Sequence, residues 1–171
     1  MKASVTTRSV VLAAYIATIP AANLAVTHLG AVPVGFGYLA PAGVYMVGLA
    51  LVLRDFSREA AGRLAVLGAI ALGIVISYAM ADPNLALASA VAFGVAELAD
   101  FAVYEPLRQR GLLIAMVASN AVGILCDSLL FLKLAFDSLE FLPGQILGKV
   151  WMTVAAVAVL ALLRRRRRAA A

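Results

Sequence analysis

Glu97, Asp100 and Tyr104 recur at i, i+3 and i+7, so a helix carries them on one face. Glu97 is surrounded by Phe93, Val95 and Ala96. Asp100 and Tyr104 lie nearer the following basic connection and suit an interfacial position. A second polar set, Ser119, Asn120, Asp127 and Ser128, interrupts another apolar run, with Asn120 and Asp127 seven apart and thus on one face two turns separated. Ser119 and Asn120 also suit interhelical hydrogen bonding, worth about 0.6 kcal/mol each. Asn23 adds a donor and an acceptor in a third apolar run, and Gln145 and Lys149 add an amide and a cation in a fourth. An acid at such depth is paired with a base, protonated, or bound to a ligand. Lys149 can neutralise Asp127 or Glu97, or extend its ammonium to the outer interface.

This chemistry is recognition and charge balance rather than bond-making. No nucleophile–base pair accompanies the acids, so an enzyme is not expected. One histidine, His28, cannot assemble a metal centre, and one cysteine, Cys126, cannot form an intramolecular disulfide. No P-loop is present, so the chain does not itself hydrolyse ATP. No metal or cofactor is implied.

The elements that hold these residues are apolar segments near 9–28, 37–53, 64–81, 84–104, 112–136 and 144–163. Several reach the roughly 20 residues needed to cross a hydrocarbon core of about 30 Å. Nothing resembling a soluble domain or linker separates them, so residues 1–171 read as a single transmembrane domain ending in a basic cytoplasmic tail at 164–171. The expected class is an all-α, polytopic membrane protein with six transmembrane helices. Short connections make consecutive helices antiparallel neighbours. Residues 54–59 read as an interfacial loop of mixed charge, and Pro41–Tyr45 as an interruption within the second span, where Pro41 removes a backbone donor and Gly43 permits close approach. Ala13, Ala17, Ala21 and Ala25 form a small-residue stripe on the first span.

Composition agrees. Of 171 residues, 64% are hydrophobic and only 13% charged, about half the charged share of a soluble domain, and the mean hydropathy is +1.01. The net charge of +5 comes largely from Arg164–Arg168. A basic run beside a span serves topology and anionic lipid, and without an aromatic platform it does not indicate nucleic acid. Lys2 and Arg8 precede the first span, Arg54, Arg58 and Arg63 follow the second, Arg108 and Arg110 follow the fourth, and Arg164–Arg168 follow the sixth. The alternate connections after spans one and three carry no Lys or Arg. The positive-inside rule then places both termini in the cytoplasm, with Lys133 and Lys149 the exceptions. The first span is read as retained rather than as a signal peptide.

The combination of Asn23, Pro41-Ala42-Gly43-Val44-Tyr45 through Arg54-Asp55, Ala92-Phe93-Gly94-Val95-Ala96-Glu97-Leu98-Ala99-Asp100 with Tyr104, and Ser119-Asn120 followed by Asp127-Ser128-Leu129-Leu130-Phe131 resembles the VUT family of queuosine precursor transporters. The resemblance runs from about residue 10 to 155. That family is in turn similar to the six-helix substrate-binding components of energy-coupling-factor vitamin importers. Ala40-Pro41-Ala42-Gly43 departs from the bulkier sequence associated with that helix start.

The resemblance implies uptake of a 7-deazaguanine, the cyano- or aminomethyl-substituted queuosine precursor, across the cell inner membrane. A deazaguanine presents a ring N–H beside an exocyclic amine, which one carboxylate can accept together, and a carbonyl that needs a donor. Glu97 and Asp127 are then expected to grip the base edge, Asn23 and Asn120 to complete the hydrogen bonding, and Lys149 to balance charge, with Asp100 and Tyr104 in the substrate-binding set. Phe93, Tyr104, Phe131 and Trp151 are candidate stacking rings. The lipid bilayer, an ATPase coupling module and a second copy of the chain are the candidate partners. The competing readings are a substrate-binding subunit for another vitamin or purine-like solute, and an intramembrane enzyme using Glu97, Asp100 and Asp127 as acid/base groups.

Overall fold

The computed structural model describes residues 5–80 and 82–169, with the side chains at 112, 156, 157 and 160–169 left aside. The expectations for Lys2, for the side chains of Arg164–Arg168 and for residues 170–171 therefore fall outside the described residues. Among the described residues the order is α1 (Val5–Leu29), β1 (Ala31–Gly35), β2 (Tyr38–Pro41), α2 (Val44–Ala61), α3 (Arg63–Met80), α4 (Pro83–Arg108), α5 (Leu112–Phe136) and α6 (Leu142–Ala169). The framework is helical, as the composition requires. Four described helices, α1, α3, α4 and α5, are long and apolar enough to cross a bilayer.

Three features depart from the sequence reading. The helix of the second segment starts at Val44 rather than 37, because residues 31–41 form an antiparallel hairpin. Its turn is made by Phe36 (φ 52°) and Gly37 (φ 79°), flanked by Gly35 (φ 106°). Paired positive φ values suit the twist of a tight hairpin, and the glycines supply them without a Cβ penalty. Pro41 consequently closes β2, and Gly43 caps α2, so this stretch punctuates the strand–helix junction and does not interrupt a helix.

The third departure concerns 54–59. These residues are no loop: α2 runs on through them to Ala61, and Arg54, Asp55, Ser57 and Arg58 are buried. Their charges also leave α2 outside the set of helices apolar enough to span alone. The single residue Gly62 (φ 89°) then turns the chain into α3, its N–H bonding the Arg58 carbonyl at 2.9 Å.

Close helix contacts depend on residues without bulk. A Cβ on Gly48 would meet Met152 at 2.8 Å, and one on Gly148 would meet Val44 at 2.7 Å, so glycines set the α2–α6 approach. Asp82 caps α4, accepting from the N–H groups of Asn84 and Leu85 at 3.0 Å each, with Pro83 at the first helical position. The hairpin lies on α6, where Trp151 donates to the Val34 carbonyl at 3.2 Å and stacks on Phe36. Ala13 and Ala17 of the alanine stripe are exposed.

Candidate functional site

The polar residues separate into two buried groups. The first surrounds Arg54, which is fully buried. Its Nε and Nη2 donate to Asp55 Oδ1 at 3.0 and 2.8 Å, Nη1 to Glu97 Oε2 at 3.1 Å, and Nη2 also to Asp100 Oδ1 at 2.7 Å and Asn120 Oδ1 at 3.0 Å. The i, i+3 face of α4 is thus aimed at the charged end of α2, and α5 contributes Asn120. Arg58, one turn further on, pairs with Glu105 and lies 4.1 Å from the ring centroids of both Phe101 and Tyr104.

This group closes toward one end of the molecule with Glu59, which accepts from Tyr104 Oη at 2.8 Å and from Arg108 Nε at 3.0 Å. Hydrogen bonding from Arg108, with that from Tyr104, holds the Glu59 carboxyl below its ordinary range. Asp100 is fully buried, because α2 continues as a helix and covers it.

The second group lies around Asp127. Lys149 Nζ donates to Asp127 Oδ2 at 2.6 Å and to Ser128 Oγ at 2.8 Å, and its side chain is fully buried. Of the alternatives for Lys149, the structure selects pairing with Asp127 over Glu97 and over extension to the interface. Lys133 instead is exposed and pairs with Asp137 at 2.5 Å at the end of α5.

A crevice opens beside Asp127, and a second adjoins it. One is lined by Asn23, Phe93, Asp127, Phe131 and Gln145, and the other by Asn23, Ser77, Ser89 and Phe93. Asn23 joins them, donating to Ser77 Oγ. Gln145 is buried, and its Oε1 has no hydrogen-bond partner. The free space in each crevice is small, roughly that of one or two water molecules.

The expected joint grip of Glu97 and Asp127 is not built in this conformation. Asn23, Asp127 and Lys149 belong to the crevice group, whereas Glu97, Asp100 and Asn120 converge on Arg54, and Tyr104 on Glu59. Of the candidate stacking rings, Phe93 and Phe131 line the crevice, while Trp151 is engaged with the hairpin. The residues that sequence reasoning passed over are Arg54, Asp55 and Arg58 as buried partners and the partly exposed Glu59, together with Ser77 and Ser89. The i, i+1, i+4 spacing of Arg54, Asp55 and Arg58, a helical face, was the available signal.

Long apolar helices enclosing paired acids, amides and a lysine define a helical membrane protein with a polar interior. Residues 80–163, from the end of α3 through most of α6, match the model of the family described as "Putative vitamin uptake transporter". No curated protein and no solved structure matches the chain.

Proposed function

We propose that this chain is a multi-pass inner-membrane carrier that takes up a flat, guanine-like solute, namely 7-cyano-7-deazaguanine or 7-aminomethyl-7-deazaguanine. The observation that carries this reading is the crevice in which Asn23, Asp127 and Gln145 meet between Phe93 and Phe131. Sites for small solutes are mostly apolar with a few placed polar groups. Asp127 can accept the ring N–H and the exocyclic amine together, the unpartnered Gln145 Oε1 offers another acceptor, and the Asn23 amide can donate to the carbonyl. The match to a family described by vitamin uptake, and the resemblance in the Glu/Asp/Tyr and Ser-Asn/Asp-Ser motifs, both support transport over intramembrane catalysis. In this reading six helices span the bilayer, and the Arg108 end faces the cytoplasm.

The crevice is too small for a bicyclic base as it stands, so uptake requires its walls to part. The Lys149–Asp127 contact is the one the solute replaces: the base edge takes the place of the ammonium on Asp127, while Lys149 keeps Ser128. A charge pair that opens only for a solute of matching hydrogen bonds rejects analogues that would leave Asp127 unpaired. The family description favours one second reading, in which the same crevice serves a different vitamin in a substrate-binding subunit.

Expression in a bacterium that cannot synthesise queuosine precursors, fed the deazaguanine and assayed for queuosine in its tRNA, tests the proposal. Rescue is expected with the wild-type chain and with Arg110→Ala, at an exposed position. It is expected to vanish with Asp127→Asn and to fall by about tenfold or more with Asn23→Ala, for loss of a buried hydrogen bond. Absence of rescue by wild-type protein confirmed in the membrane would overturn the assignment of solute, and rescue by Asp127→Asn would overturn the site.

A further inference from the structure

Helices α5 and α6 part along one side and leave an open groove of about 500 Å³ between them, far larger than either crevice. Val117, Ala121 and Ile124 line it from α5, and Val150, Val154 and Ala158 from α6. Each set recurs at helical spacing, so each is one continuous apolar face. The two polar side chains in the wall are engaged elsewhere. Asn120 accepts from Arg54 at 3.0 Å, and Thr153 donates to the Lys149 carbonyl at 3.1 Å. Water gains nothing in such a space, and an empty one forfeits the packing of its walls. Its natural occupant is an apolar chain.

The ends of the two helices say which kind. The groove begins five residues after the start of α5 at Leu112 and ends six residues before Arg164 on α6. At the helical rise it therefore starts about 8–9 Å below those ends and runs about 10–12 Å further. Half a hydrocarbon core is about 15 Å, so a fatty acyl chain hung from the helix ends reaches into it. α6 runs on through 164–168, where the sequence has five consecutive arginines. Neither helix brings a counter-charge to that end, since no Asp or Glu occurs between Glu105 and Asp127 or after Glu140. A basic run at a membrane surface attracts anionic headgroups. A second copy in the same orientation would set five more arginines beside these, which repulsion opposes.

We infer that the α5–α6 groove is a binding site for an anionic phospholipid, with one acyl chain between the helices and the headgroup at Arg164–Arg168. The chain fills the gap between α5, which carries Asp127, and α6, which carries Lys149, and it lies against Asn120 and Thr153 behind the two polar groups. The site rests on the six-span reading and not on the choice of solute.

Native mass spectrometry of the full chain, released from vesicles of phosphatidylglycerol and phosphatidylcholine with identical acyl chains, tests the site. Phosphatidylglycerol is expected to be retained over phosphatidylcholine by about tenfold or more, five cations acting together at the surface. The preference is expected to vanish in Ala121→Phe and in Val154→Phe, which fill the groove from either helix, and to fall when Arg164–Arg168 are all replaced by Gln. Val91→Phe, at an exposed position on α4 outside the groove, is expected to keep it. Where one filling variant fails to accumulate, the other decides. No preference in the wild-type protein overturns the inference, and so does a preference that survives filling, since surface attraction alone then accounts for it. A second copy or another protein that leaves on filling while the lipid stays overturns it in favour of a docked helix. In a Cys126→Ala background, labelling of Val154→Cys by a water-soluble thiol reagent overturns the span of α6, and the site with it. An unlabelled Val154→Cys together with no lipid preference overturns the site alone.

Discussion

At the scale of single residues, Lys149 and Asp127 depend on one another. Both are buried, and each would be an uncompensated charge alone. Lys149→Met is expected to destabilise the protein by about 3–5 kcal/mol, because it leaves Asp127 without its cation, whereas the Asp127→Leu/Lys149→Met double variant recovers most of that loss. Thermal unfolding of the detergent-purified variants checks the difference, and a double variant no more stable than the single one refutes it. The burial of Asp127 was legible in the sequence, since a lone acid in Leu125–Phe131 has nowhere polar to go, whereas Lys149 could as well have extended to the outer interface. Which acid Lys149 serves was not legible, because Asp127 and Glu97 are equivalent until helix packing sets their depths. Arg54 was less legible still. Its partners lie 43, 46 and 66 positions away, so only tertiary structure reveals them.

At the scale of elements, α2 is the helix that local sequence describes least well. A cluster of four charges after an apolar stretch reads as a membrane interface, and three of the four, Arg54, Asp55 and Arg58, are buried in a helical turn only because α4 supplies counter-charges and α5 the Asn120 amide. The end of α2 is tied to α4 by Glu59, held by Arg108 and Tyr104. Because the Glu59 carboxyl is held below its ordinary value, its contribution is present above the unfolded-state value, about 4.3, and is lost as pH falls through the folded-state value. Melting temperatures measured from neutral to acid pH are expected to fall more steeply for wild-type protein than for Glu59→Gln. The difference is of the order of 0.5 kcal/mol, since the pair is partly exposed and screened. Parallel profiles would show that the clamp adds nothing. The hairpin, too, was hidden, because the positive φ at Phe36 follows from the turn geometry and not from its residue type.

At the scale of the whole molecule, the two polar groups sit at different depths along the bundle, the Asp127 crevice nearer the hairpin and the Arg54 cluster nearer the Arg108 end. The helical class was legible throughout, from composition and the length of the apolar runs. The orientation rests on the distribution of basic residues and has a direct test. With Cys126 replaced by Ala, cysteines introduced at the exposed Gln109 and Glu140 lie in connections at opposite ends. A membrane-impermeant thiol reagent applied to intact cells is expected to label Glu140→Cys, and to label Gln109→Cys only after lysis. The reverse pattern would invert the topology. The one-residue connection at Gly62 bears on how the chain is made. Each charge carried to mid-membrane costs about 2.5–3.5 kcal/mol during translocon insertion, so in the six-span reading proposed above α2 is not expected to leave the translocon alone. With only Gly62 between them, α2 and the strongly apolar α3 are expected, in that reading, to enter lipid together. The Arg54 contacts to Glu97 and Asp100 close only after α4 has emerged from the ribosome, and that to Asn120 only after α5, so this part of the polar interior is completed late.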